Sequence, residues 1–154
     1  MEQPSIVGKK AKDFILRDQN GQECRLSSFL GRRVLLSFHP LAWTPICAQQ
    51  MKDLERNKKT FEKLNTVALG LSVDSVPCKS AWARSLRISK TPLPADFWPH
   101  GAVAKSFGIL RPEGFSQRAN ILVDEKGKVI WVKVYPMKTL PDLGEVLAIL
   151  QTGT

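Results

Sequence analysis

Val34-Leu-Leu-Ser-Phe38-His-Pro40-Leu-Ala-Trp-Thr44-Pro-Ile-Cys47 joins two periodicities, and the change from one to the other decides what kind of fold the chain can adopt. Val34 to Phe38 is a short apolar run of the buried-strand type. Beyond Thr44, the residues Met51, Leu54, Phe61 and Leu64 recur at helical intervals, which predicts a helix continuing to Asn65. Thr44 suits the N-cap and Pro45 the first helical position, where its missing N–H leaves nothing unpaired. Cys47 then falls in the first turn, where free N–H groups and the positive end of the helix dipole favour an anionic sulfur. That is a suitable place for a nucleophilic cysteine.

Thr44 lies three residues before Cys47, so its hydroxyl is expected on the same helix face. There it can accept a hydrogen bond from a protonated oxygen and donate one toward the sulfur. Pro40 ends the strand and adds apolar bulk without a donor, which keeps water from the thiol. Taken singly, these residues have plain structural uses as a cap, a turn and a small buried hydrophobe. Their coincidence at the carboxyl end of a strand, where α/β sheets bind ligands, points to chemistry.

Outward from this stretch, Thr66-Val-Ala-Leu-Gly-Leu-Ser-Val73 reads as a second apolar strand. A strand, a long helix and a further strand form a right-handed crossover, so the two strands are expected to be parallel neighbours. Toward the N-terminus, Asn20-Gly21 between Phe14–Arg17 and Glu23–Leu26 signals a β-hairpin. A helical turn over Ser27–Leu30, closed by Gly31, follows it. Asp74 or Ser75 caps a helix containing Pro77, Cys78, Ala81, Trp82 and Leu86. Pro92, Pro94 and Pro99 make 89–101 irregular. A short helix over Ala102–Phe107, a loop to Phe115, strands at Ala119–Asp124 and Lys128–Val134, and a closing amphipathic helix at Pro141–Leu150 complete the pattern. Several α/β folds could be built from this order of elements.

A chain of 154 residues, 43% hydrophobic and 24% charged, suits one domain spanning 1–154 with a real core. No run has the apolar length of a membrane span, and Met1-Glu-Gln-Pro-Ser5 lacks a signal-peptide pattern. Three widely spaced cysteines make neither a disulfide framework nor a zinc site, and a reducing, cytoplasmic setting is expected. The net charge of +9 is dispersed over Lys9-Lys10, Lys12, Arg32-Arg33, Lys58-Lys59 and single positions. No basic helix or RNA-binding aromatic signature accompanies it, so a solvated surface is expected, with no specific nucleic-acid partner.

Pro40-x-x-x-Thr44-x-x-Cys47 resembles the active-site signature of the peroxiredoxins, the thiol peroxidases often described as alkyl hydroperoxide reductases or thiol-specific antioxidants. The resemblance extends to Gly8–Phe14, to Leu71-Ser-Val-Asp-Ser75 and to Gln117-Arg118-Ala-Asn-Ile-Leu-Val-Asp124, and covers about residues 5–150. It implies a thioredoxin-like α/β fold, with a central mixed sheet flanked by helices and an N-terminal β-hairpin. It also implies that the Arg118 guanidinium faces the Cys47 sulfur and stabilises charge there. The implied reaction is attack of Cys47 on hydrogen peroxide or an organic hydroperoxide, leaving a sulfenic acid. No metal, haem, flavin or other cofactor is implied.

Cys78 is a possible resolving cysteine, because the order of elements brings it to the same sheet edge as Cys47. Reduction by thioredoxin, glutaredoxin or a small thiol is the alternative, in a monomer or a homodimer. The layout is closest to the Q-type or one-cysteine members. A thiol–disulfide oxidoreductase on the same fold is opposed by the lack of Cys-x-x-Cys. A redox sensor or holdase, capturing partners when Cys47 oxidises, is the rival from another class. Cys24 is expected to be buried and inert, His39 to pack at the site without acting as a base, and His100 to lie at the surface. Trp43 and Trp82 are expected in the core or at an interface.

Overall fold

The computed structural model describes residues 2–152. The expected N-terminal hairpin is present: β1 (Ile15–Arg17) pairs antiparallel with β2 (Glu23–Arg25), with Leu16 opposite Cys24. Its turn is closed by Gly21 at φ 76, a conformation that needs no Cβ. A 3-10 turn at Leu26–Phe29 leads to β3 (Arg33–Phe38).

Four strands form the central sheet, in the order β4-β3-β5-β6. β3 runs parallel to β4 (Thr66–Leu71), as the crossover rule requires, with Phe38 opposite Leu71. β5 (Arg118–Val123) and β6 (Val129–Tyr135) add antiparallel on the other side, so the sheet is mixed. β3, β4 and β5 are buried throughout, which accounts for their near-continuous apolar sequences.

Alternate residues still face opposite cores. Val34, Leu36 and Phe38 pack with the hairpin and with α4 (Ala102–Ser106). Leu35, Ala68 and Leu122 pack under α1 (Pro45–Arg56), α2 (Lys58–Lys63), α3 (Val76–Leu86) and α5 (Leu143–Gln151). The sheet is therefore covered on both faces, an α/β sandwich of the expected kind.

One expected element is divided. The helix predicted from Pro45 to Asn65 breaks at Asn57, whose φ and ψ are −99 and 14. Its side-chain amide donates to the Asp53 carbonyl at 2.8 Å, offering the backbone an alternative to helical continuation. Phe61 keeps the second piece on the core. At the sheet, Gly70 gives Met51 of α1 room to lie against β4; an added Cβ would run into Met51 Sδ and come within 2.8 Å of Leu93 Cδ2. The irregular 89–101 segment is held by Glu55, whose carboxylate accepts from the N–H groups of Ser89, Lys90 and Thr91.

Candidate active site

At the carboxyl end of β3 the chain turns sharply before α1. Trp43 takes up the reversal at φ 66, a left-handed conformation that a bulky residue adopts only under constraint. The constraint comes from Asp74, just beyond β4. Its Oδ2 accepts from the Ala42 N–H at 2.8 Å and from Ser72 Oγ at 2.6 Å. Trp43 is exposed, whereas Trp82 is in the core.

Thr44 occupies the N-cap position and Pro45 the first helical one, as their types dictate. The hydroxyl, however, does not cap. Thr44 Oγ1 donates to the Leu41 carbonyl at 2.8 Å, so its hydrogen is used and its lone pairs remain free to accept. The expected donation from Thr44 to the sulfur is absent, because the nearer carbonyl takes the hydroxyl's only proton. The first bond of the helix is Ala48 N–H to the Thr44 carbonyl at 2.9 Å, and among the described residues the Cys47 N–H has no partner.

Cys47 is fully buried as to solvent-accessible area, yet it lines a cleft of about 350 Å³. Pro40, Leu41, Thr44, Ile46, Phe115 and Met137 form most of the remaining wall, which is largely apolar. Another cleft, of about 410 Å³, lies at the opposite end of the sheet beside Val34 and Val123, away from any of these groups.

Arg118 opens β5 and is itself buried. Its Nη1 donates to Cys47 Sγ at 3.2 Å and to Gln50 Oε1 at 2.9 Å. Nε and Nη2 both donate to the Met137 carbonyl, at 3.1 and 2.8 Å. The guanidinium is thus held from two sides with one edge against the sulfur. The site thus holds a delocalised cation, fixed in place, against the sulfur.

Gln50, Ser37, Asn120 and Met137 were not anticipated from the sequence as parts of the site. Gln50 is on the Cys47 face one turn later, and its Nε2 donates to Ser37 Oγ at 2.8 Å and to the Phe38 carbonyl at 3.1 Å. Ser37 Oγ donates in turn to Asn120 Oδ1 at 2.7 Å, across the β3–β5 register pair. A usable signal existed: Ser37 and Asn120 are polar residues in otherwise apolar strand runs, and such residues need partners. Met137 acts through its backbone, which leaves no trace in residue type.

The other candidates are dispersed. Cys78 is half-buried in the first turn of α3, with Sγ 3.8 Å from Asp74 Oδ1. Burial, and then the Asp74 charge, raises its thiol above the ordinary range. Its sulfur thus faces the β4 side, while Cys47 faces Arg118 of β5. Cys24 is buried in the hairpin core, and burial pushes its thiol up to about 12. His39 is fully buried beside Trp82, with ring centroids 5.0 Å apart. Burial first, then the charges of Lys79 and Arg118, hold its imidazole well below the usual range, so it is neutral. His100 is exposed, as expected. Among the described residues no cluster of His, Cys, Asp and Glu can hold a metal ion, and no helix is long and apolar enough to cross a membrane.

Comparison with known proteins gives a consistent answer. A family model described as the AhpC/TSA family matches residues 7–132. Alkyl hydroperoxide reductase E of Mycobacterium tuberculosis is 40% identical over 123 residues, covering 79% of this chain and 80% of that protein. The reduced 2-Cys peroxiredoxin of Plasmodium vivax superposes with a TM-score of 0.87 at 28% identity, over 96% of this chain and 81% of that one. Peroxidoxin BcpB of Mycobacterium tuberculosis gives a TM-score of 0.83 at 28% identity, over 98% of both chains.

Proposed function

The chain belongs to the AhpC/TSA family, the peroxiredoxins, and we propose that its peroxidatic group is Cys47, served by Thr44, Pro40 and Arg118. It is a thiol-dependent peroxidase. The assignment of Cys47 is carried by one observation, the buried Arg118 Nη1 at 3.2 Å from Cys47 Sγ.

In the proposed reaction, the Cys47 thiolate attacks the terminal oxygen of a hydroperoxide and the O–O bond breaks. The hydroxyl stays on sulfur as sulfenic acid, and the departing alkoxide or hydroxide takes a proton from solvent to leave as alcohol or water. Arg118 faces the thiolate before attack and the charge that moves onto oxygen during it. The unpartnered Cys47 N–H donates to the bound peroxide. Thr44 Oγ1, its own hydrogen committed to Leu41, accepts the peroxide O–H and so aligns the O–O bond with the sulfur. Pro40, buried beside the sulfur, excludes water. The largely apolar wall of Leu41, Ile46, Phe115 and Met137 favours organic hydroperoxides over hydrogen peroxide.

Recycling is proposed to use either Cys78 or an external thiol of the thioredoxin, glutaredoxin or small-molecule type, in a monomer or homodimer. Three free cysteines support a reducing, cytoplasmic setting. A Cys47–Cys78 disulfide requires the first turn of α1 to unwind, because the two sulfurs face different sides of the β3 end.

Intact mass after one equivalent of hydrogen peroxide tests the reading in the parent and in Cys78→Ser. A gain of about sixteen daltons in the variant, lost again in Cys47→Ser, is expected. A loss of about two daltons in the parent marks Cys78 as the resolving thiol, and a gain of about sixteen there marks an external reductant. Oxidation that persists in Cys47→Ser would overturn the assignment.

A further inference from the structure

Leu41 and Ala42 share one trans peptide group, and both of its polar ends are taken. On one side the Ala42 N–H donates to Asp74 Oδ2 at 2.8 Å. On the other the Leu41 carbonyl accepts the Thr44 hydroxyl, with Oγ1 at 2.8 Å. Partial double-bond character keeps the group planar, so its N–H and C=O cannot turn separately. A hold on the N–H is therefore a hold on the carbonyl.

The Asp74 carboxylate is itself held in place for this contact. Ser75, not Asp74, caps α3, its Oγ accepting from the Cys78 N–H at 3.3 Å, which leaves the Asp74 carboxylate to the turn. Ser72 Oγ donates to the same Oδ2 at 2.6 Å, and Cys78 Sγ stands 3.8 Å from Oδ1. Asp74 makes no ion pair among the described residues, so its charge acts on these donors. A peptide N–H bonded to a carboxylate is polarised, and its own carbonyl becomes the better acceptor for it. The turn would also move if released, because Trp43, the next residue, is strained at φ 66.

We propose that Asp74 is a positioning residue of the peroxidase site, which fixes the Leu41–Ala42 peptide and thereby the orientation of the Thr44 hydroxyl. With the peptide held, the Leu41 carbonyl keeps the Thr44 hydrogen, and the lone pairs of Oγ1 are left to the cleft that Thr44 lines. With the carboxylate removed, the peptide can rotate and the carbonyl leaves Thr44. The freed hydroxyl then donates its hydrogen elsewhere instead of accepting from a peroxide. Asp74 does not line the cleft and acts only through the backbone. The proposal rests on the role of Thr44 given above.

The test measures kcat/KM for an alkyl hydroperoxide in Asp74→Ala, Asp74→Asn, Thr44→Val and the double variant of Asp74→Ala with Thr44→Val. Asp74→Ala is expected to be about tenfold slower than the parent. Asparagine keeps an oxygen for the Ala42 N–H and for Ser72, so Asp74→Asn is expected to recover most of that rate. The double variant is expected to be no slower than Thr44→Val, because both changes act on one hydroxyl. Asp74→Ala at parental speed, Asp74→Asn as slow as Asp74→Ala, or losses that multiply in the double variant would overturn the proposal. Amide hydrogen exchange on the parent needs no variant to fold. The Ala42 N–H is expected to be protected, and exchange at the rate of an open peptide would also overturn it. Thr44→Val at parental speed would instead remove the Thr44 role and this proposal with it, so the two failures are distinguishable.

Discussion

Arg118 Nη1 lies 3.2 Å from Cys47 Sγ, and the same guanidinium is clamped from behind by the Met137 carbonyl. The cation is thus fixed before any peroxide arrives, so little reorganisation remains for the reaction step. Arg118→Met is expected to lower kcat/KM for peroxide by about 10² to 10³. Stopped-flow oxidation checks this, and an unchanged rate would show that the guanidinium does not act on the sulfur.

Gln50 links the guanidinium to Ser37 and the Phe38 carbonyl. Gln50→Leu leaves Ser37, the Phe38 carbonyl and one guanidinium edge with fewer partners in a buried site. A loss of about 1–3 kcal/mol in stability is expected. Urea unfolding measures it, and peroxide kinetics on the folded variant should show a slower reaction than the parent.

Thr44 contributes lone pairs to the cleft, its hydrogen being held by Leu41. Thr44→Ser keeps that arrangement and should retain most activity. Thr44→Val should lose about 10- to 100-fold in kcat/KM with little change in melting temperature. Equal rates in the two variants would exclude the hydroxyl from the reaction.

How much of this was legible in the sequence follows the kind of signal each residue left. Thr44, Pro45 and Cys47 announce a helix start through residue type, and the hairpin is announced by Asn20-Gly21. Arg118, by contrast, acquires a role only through family resemblance, because nothing local brings it to a cysteine far earlier in the chain. The break at Asn57 was missed because Leu54, Phe61 and Leu64 keep a helical period on both sides of it. Lys79 was missed for a similar reason: a lysine on an amphipathic helix is normally solvated, and its carbonyl acceptors come from β4 and the proline-rich segment.

Lys79 and His39 tie stability to pH with the same sign. Burial holds Lys79 at about 7 against an ordinary 10.5, so between these values the unfolded chain carries a proton that the folded chain has lost. Stability should therefore rise with pH across that window, by up to about 1.4 kcal/mol per pH unit. His39 is held well below 6.5, so the unfolded chain alone gains its proton as pH falls through 6.5, and stability should decline there. Above 9.0 Cys24 acts in the opposite direction, because its thiol, raised to about 12, stays protonated only in the folded state. Urea titrations of the parent and Lys79→Met from pH 7 to 9 should show the rise in the parent alone.

Gly70→Ala should weaken the joint between α1 and β4. The new methyl would collide with Met51 Sδ and approach Leu93 Cδ2 to 2.8 Å. A destabilisation of about 1–3 kcal/mol is expected. Pairing it with Met51→Ala should recover part of the loss in a denaturation series, since the collision is removed.

The sulfur and its guanidinium stand 71 residues apart in the chain. Arg118 reaches Cys47 only once β5 has closed antiparallel onto β3, and Met137, beyond β6, must follow to hold it. During synthesis, the interval between the emergence of Cys47 and that of Met137 is on the order of ten seconds. Throughout that interval the thiol lacks its cation. Under the proposed assignment of Cys47 and Arg118, the catalyst is completed only by the closing of its own sheet, so a nascent or broken chain would carry the cysteine without its site.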